Sequence, residues 1–194
     1  MPFHSFTLND KGWEDLHEEV AYSSPYVQVR EVKVKTATRP EGVNWTVVHR
    51  KAACVVVPVL ANGDFVLIRQ ERVPVRGAMW EFPAGQIDVV GSDFFENGLR
   101  EMREETGYEA APDAEITAMG RFFTSPGMTD EVCYLMRVKP VQPSPEGAQH
   151  DQEEAILERR IVSPATLRQM IAEGELCDAN SLAAFGRMVA MGLL

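Results

Sequence analysis

From Tyr26 to Thr38 (YVQVREVKVKTAT) apolar and polar side chains alternate, the period of a half-buried strand. Residues 43–49 (VNWTVVH) predict a second strand, and the apolar run 53–60 (ACVVVPVL) a third, buried one. Asn62-Gly63 is a two-residue hairpin signal, after which 65–70 (FVLIRQ) returns as the partner strand. Residues 79–88 (MWEFPAGQID) read as a short strand running into a loop. The spacing then becomes helical from Asp93 to Thr106, with Asp93 as N-cap, Glu96 at the capping-box position and Gly107 as the stop. Strands are predicted at 114–124 and 131–138. Residues 139–154 (KPVQPSPEGAQHDQEE) form a loop long enough to be either disordered or functional. A short strand near 155–162 follows. Ser163-Pro164 opens a helix that stops at Gly174, and Asp178 caps a last one. Strands outnumber helices and the two do not alternate regularly. The expected fold class is α+β, a layered α/β/α domain around a mixed sheet.

Composition narrows the function. The chain has 194 residues, enough for one domain with a real core and a small appendage. Its formal net charge of −10 argues against nucleic-acid or anionic-membrane partners, which need a basic surface. The longest apolar stretch, 52–61, is about half a membrane span and contains a proline. No basic region followed by an apolar one opens the chain, so no secretory signal is expected and a cytoplasmic location is. Cys54, Cys133 and Cys177 have no ligand spacing, and reduced thiols are expected rather than a zinc site.

One stretch stands apart: REMREETGY, residues 100–108, holds three carboxylates and two arginines. At about 100° per residue, Arg100, Glu104, Glu101 and Glu105 share an arc of roughly 140°, while Phe95, Leu99, Met102 and Thr106 share one of roughly 60° on the other side. One face is expected to pack and the other to present carboxylates. Acidic side chains at the C-terminal end of a helix face the unfavourable pole of its dipole. Gathering three there costs free energy unless a cation offsets it. Clustered hard oxygens suit Mg²⁺ or Mn²⁺, which keep several waters and bind substrate phosphates.

With these residues in view, the segment from Gly85 through GQIDVVGSDFFENGLREMREETGY resembles the Nudix box. The second half matches fully at Arg100, Glu101, Met102, Glu104, Glu105, Gly107 and Tyr108. The first half departs: Gly85 lies one residue further upstream than the box places it, and Ser92 stands where a glutamate is usual. The segments RQER (69–72), EFPAGQID (81–88), FFTSPGMTDE (122–131) and GELCDANSLAAF (174–185) are similar to the ADP-ribose (ADP-sugar) pyrophosphatase branch. The resemblance implies a Nudix α/β/α sandwich over residues 51–194, preceded by an N-terminal antiparallel β segment over 1–50 that dimerises. It also implies a metal site of Glu101, Glu104 and Glu105 with the carbonyl of Ala84, with Arg100 orienting a box glutamate.

The implied activity is Mg²⁺-dependent cleavage of ADP-ribose or a related nucleoside diphosphate sugar into AMP (or another nucleoside monophosphate) and a sugar phosphate. GDP-mannose, ADP-glucose and dinucleotide pyrophosphates are rival substrates, and a nucleotide-sensing protein without turnover is the rival class. A carboxylate outside the metal shell positions or deprotonates the attacking water. The branch carries that base on a loop matching 146–156, which makes Glu153, then Glu154, the candidates. Around the substrate the resemblance places Arg72 as a phosphate or ribose contact. Glu81 would be a carboxylate beside Ala84, and Ser125 and Gly127 part of a ribose-side wall. Trp45, Trp80 and Phe123 are read as packing residues, and His150 as the one histidine worth testing.

Overall fold

The computed structural model describes residues 12–87, 93–149 and 155–194. They fall into two compact units. One comprises the N-terminal residues up to Ala52 together with 123–132; the other comprises 53–122 and 133–194.

The first unit is built on a three-stranded antiparallel sheet: β1 (Glu14–Ser23), β2 (Gln28–Thr36) and β3 (Arg39–His49), in that order. The alternation that predicts β2 and β3 is realised here. Strand β1 is an addition that no period of two announces, and every one of its residues is exposed.

The second unit carries a seven-stranded mixed sheet. Its elements are β4 (Ala53–Leu60), β5 (Phe65–Arg72), β6 (Gly77–Glu81), β7 (Ala84–Gln86), α1 (Phe94–Thr106), β8 (Tyr108–Phe123), β9 (Val132–Pro143), β10 (Ile156–Val162), α2 (Pro164–Glu173) and α3 (Ala179–Met191). The main path runs β10-β5-β4-β9-β8, with β6 added to β5 and β7 to β4. Strands β4 and β9 are parallel, while β4 with β5, β4 with β7 and β5 with β10 are antiparallel.

The apolar run of β4 is continuous because both its faces are covered. Val55, Val57 and Val59 pack with Leu167 and Met170 of α2 and with Ala184 and Met188 of α3. Cys54 and Val56 point the other way, into a second cluster with Met102 of α1, Met136 and Val138. The result is an α/β/α sandwich around a mixed sheet, the expected fold class. Burial, reinforced by Cys133, Glu101 and Asp93, pushes the Cys54 thiol well above its ordinary pKa, so it behaves as a small neutral core residue.

Two expectations are corrected. The turn at Asn62-Gly63 is part of a four-residue connection, 61–64, not a two-residue hairpin. Leu60 N–H reaches the Asp64 carbonyl at 2.8 Å, and Gly63 takes a positive φ of 94°. The supposed loop from 139 begins as strand: β9 continues to Pro143, and Val141 pairs with Leu60. Prolines 140 and 143 hide this extension from a propensity reading, because proline is depleted in strands. Ser92, His150, Glu153 and Glu154 lie outside the described residues.

Candidate active site

Helix α1 starts as expected: the Asp93 carboxylate accepts from the Phe95 N–H, and Glu96 lies in the first turn. It ends as expected too, on Gly107 with φ 71° and its N–H on the Arg103 carbonyl at 2.8 Å. The faces of the helix differ from the expectation. Glu101 and Glu105 are not presented to solvent but are buried, at 7% and 1% exposure, alongside Met102 and Thr106. The carboxylate arc is divided: its Glu101–Glu105 edge is inside and its Arg100–Glu104 edge outside.

Two glycines make this placement possible. A Cβ on Gly98 would lie 2.8 Å from Cys54 Sγ and from Met136 Sδ, so this turn of the helix rides directly on β4 and β9. A Cβ on Gly85 would lie 2.0 Å from Glu101 Cδ, so β7 leaves the room that the Glu101 carboxylate fills. The Ala84 N–H donates to Glu105 Oε2 at 2.9 Å, and Asn97 Nδ2 donates to the Gln86 carbonyl at 3.1 Å. The loop EFPAGQID and the acidic helix are therefore joined by hydrogen bonds. Ala84 meets Glu105 through its N–H; the carbonyl that the resemblance implies as a metal ligand is a different atom of the same residue.

Arg100 donates to both Glu101 and Glu104, and its Nη2 also reaches Asn97 Oδ1 at 3.2 Å. Burial works against the Arg100 charge, but Glu101 and Glu104 outweigh it and raise its pKa above the ordinary guanidinium value. Arg100 thus partly neutralises the cluster and fixes the direction of two carboxylates.

The donor set bears on the implied metal. Among the described residues no three His, Cys, Asp or Glu side chains are already gathered as a cage. Glu101 and Glu105, one turn apart and both turned towards residues 84–85, still fit a hard divalent cation. Mg²⁺ is ordinarily held by one or two carboxylates with water and substrate oxygens. Glu104 is committed to Arg100 and joins such a set only by leaving it.

The candidate substrate residues are distributed unevenly. Glu81, 2% exposed, is held by Arg72, whose Nε lies 2.9 Å from Oε1 and 3.2 Å from Oε2, with Nη2 also on Oε2. The hydrogen bond to Glu81 raises the Arg72 pKa against the opposing effect of burial. Glu81 is thus a carboxylate oriented by Arg72. Arg72 also lines a cleft with Glu71, Val73, Arg76 and Ala78. Ser125 and Gly127 belong to the other unit, in a turn where the Ser125 carbonyl accepts from Met128 and Thr129. The Gly127 carbonyl accepts from Trp45 Nε1 at 3.0 Å.

The packing assignments divide similarly. Trp80 is buried, with the Arg160 guanidinium 4.3 Å from its ring centre. Trp45, expected to pack, is 48% exposed, because its ring lies on the open N-terminal sheet.

Two positions with roles here carry no chemical signature in the sequence, and a third carries one. Ser181, fully buried, accepts from the Phe82 N–H at 2.8 Å and so ties α3 to the loop before Ala84. Arg159 donates to the Glu105 carbonyl. Gly98 had a readable signal: a glycine inside a helix costs about 1 kcal/mol relative to alanine, which asks for a packing reason.

Comparison with known proteins adds the following. The NUDIX domain family matches residues 48–185. The chain is similar to an ADP-ribose pyrophosphatase of Bacillus subtilis (strain 168), with 29% identity over 135 residues covering 70% of each chain. It is equally similar, at 29% over 138 residues, to a methanol dehydrogenase activator of Bacillus methanolicus, covering 71% of this chain and 72% of that protein. The crystal structure of an ADP compounds hydrolase matches with a TM-score of 0.74 over 94% of this chain and 97% of the other. At 18% identity that likeness speaks to the fold alone.

Proposed function

The chain belongs to the Nudix family of hydrolases, and from that premise we propose that it cleaves the pyrophosphate bond of ADP-ribose or a closely related nucleoside diphosphate sugar with Mg²⁺. The products are a nucleoside monophosphate and a sugar phosphate. One observation carries the reading: Glu101 and Glu105 are buried on the side of helix α1 that meets the Ala84–Gly85 backbone. Buried one helical turn apart, with Arg100 already paired to Glu101, the two carboxylates offer the hard oxygens that a divalent cation takes.

In this reading the residues take the following roles. Glu101 and Glu105 would hold the metal, with Glu104 and the Ala84 carbonyl as further ligands. Arg100 keeps Glu101 and Glu104 in register with each other. Bound there, Mg²⁺ supplies the positive charge that offsets the diphosphate and polarises its oxygens. Arg72, released in part from Glu81, offers a planar pair of donors to a phosphate oxygen. Glu153, ahead of Glu154, takes the proton of the attacking water. Mn²⁺ meets the same ligand chemistry and replaces Mg²⁺ in this reading. The similarity to an ADP-ribose pyrophosphatase supports ADP-ribose over GDP-mannose as the first substrate to try. The same reading pairs two copies of the chain through the N-terminal sheet.

The test is a panel of nucleoside diphosphate sugars and dinucleotides, assayed by phosphate release after a coupled phosphatase, with and without Mg²⁺. Metal-dependent conversion of ADP-ribose to AMP and ribose 5-phosphate is expected. Binding of these compounds without metal-dependent turnover of any of them refutes the proposal and leaves a nucleotide-sensing protein.

A further inference from the structure

The C-terminal end of α1 gathers negative charge that Arg100, paired with Glu101 and Glu104, offsets in part. Three glutamates lie in the last six residues of the helix, at the pole where the dipole is negative and unsatisfied carbonyls collect. The helix offers one basic residue of its own in the last turn, Arg103. That side chain lies on the outer flank, beside Glu96, Leu99 and Glu109.

The carbonyls at this end are met from elsewhere in the fold. The Glu104 carbonyl accepts from the Gln149 N–H at 3.0 Å, and that of Gly107 from the Ser144 N–H at 2.8 Å. The Glu105 carbonyl accepts from Arg159 Nε at 2.8 Å. Of these donors Arg159 alone brings a full positive charge. It is carried on β10, where it stands opposite Ile68 in an antiparallel ladder with β5, so its backbone is fixed by the sheet. Its neighbours in the strand are engaged elsewhere, Arg160 with Glu175 and Glu158 with Arg69. Glu105 is consequently held through its carboxylate by Ala84 and through its carbonyl by Arg159.

We propose that Arg159 is a positioning residue for the metal site: it fixes Glu105 through the main chain and adds its positive charge to that of Arg100 where three glutamates gather at this helix end. The inference rests on reading Glu105 as a metal ligand. Arg159 touches neither the metal nor the substrate in this scheme. Its effect is on how firmly, and in what direction, the ligand is held. Partners of this kind change metal affinity about 10- to 100-fold when removed.

The test is Mn²⁺ binding by the full-length chain without substrate, followed by electron paramagnetic resonance, for wild type, Glu105→Gln, Arg159→Gln and Arg159→Lys. Arg159→Gln is expected to weaken Mn²⁺ binding about tenfold. It should raise the Mg²⁺ concentration for half-maximal activity in step, and leave kcat at saturating Mg²⁺ within about threefold of wild type. Arg159→Lys, which keeps charge and donor, should recover most of the affinity. Wild-type affinity in Arg159→Gln, with the wild type binding normally, overturns this inference alone. So does Arg159→Lys being as weak as Arg159→Gln. A wild-type chain that binds no Mn²⁺, or a Glu105→Gln chain that binds it normally, instead overturns the reading of Glu105. Circular dichroism checks folding. Should Arg159→Gln not fold, Arg159→Lys carries the test, and a tenfold loss of Mn²⁺ affinity there overturns the proposal.

Discussion

Glu105 accepts from the Ala84 N–H through a carboxylate oxygen, and a glutamine at this position keeps an oxygen able to do the same. Glu105→Gln therefore removes a negative charge with little change in shape. The fold should survive, with a thermal midpoint close to that of the wild type. Turnover should not. Losing a metal ligand forfeits several kcal/mol of transition-state stabilisation, about three orders of magnitude in kcat. Steady-state rates at saturating Mg²⁺ decide the matter, and near-normal activity would place the site elsewhere. At this scale much was readable beforehand. The spacing of Arg100, Glu101, Glu104 and Glu105 announces a cluster, and the structure joins Arg100 to Glu101 and Glu104. The burial of Glu101 was not readable. It depends on Gly85, remote in sequence, leaving the space beside it. Nor was the engagement of Glu81 by Arg72, since a pairing of adjacent strands brings those two side chains together.

At the scale of the element, helix α1 is placed by Gly98. An added methyl there meets two sulfur atoms at 2.8 Å and Val56 Cγ2 at 3.0 Å. The Met136 side chain can yield, but Cys54 and Val56 sit on β4, buried on both faces, and cannot without moving the strand. Gly98→Ala should therefore push the helix outward despite alanine's better helix propensity. It should cost about 1–3 kcal/mol, the usual penalty for overpacking a core. Activity should fall as well, because Glu101 and Glu105 ride on the same helix. Chemical denaturation paired with Mg²⁺ titration checks both effects, and a more stable, fully active Gly98→Ala chain would mean that α1 does not bear on the sheet at this turn. Helix boundaries were legible because caps are local: Asp93, Ser163 and Asp178 each accept from a main-chain N–H at the start of a helix. Strand β1 was not legible, and the reason is physical. Amphipathic alternation appears only where one face of a strand is covered, and β1 is exposed throughout.

That exposure becomes a question about the whole molecule. The N-terminal sheet leaves large apolar side chains in water: Trp13 is 61% exposed, Leu16 43%, Val20 48%, Tyr22 58% and Trp45 48%. Scattered apolar residues need no explanation, but five within one small sheet and its flank are more than monomeric proteins usually show. A three-stranded sheet also gains little stability without a partner for its apolar side chains. A second copy of the chain, carrying the same surface, covers it in the proposed homodimer and satisfies a self-complementary interface. Light scattering coupled to size exclusion should give a particle of about twice the 21.6 kDa chain mass. Replacing Leu16 and Val20 together by glutamate should shift it to one chain mass, because burying two unpaired charges in an apolar contact costs several kcal/mol, roughly enough to dissociate a micromolar dimer. Their exposure in the single chain means that the same substitutions should leave the seven-stranded sheet folded, with its far-ultraviolet spectrum intact. A wild-type chain running at a single chain mass at tens of micromolar would leave those side chains without the proposed partner. It would also separate the dimer from the hydrolase reading, since Glu101, Glu105, Arg100 and Ala84 all belong to one unit of one chain.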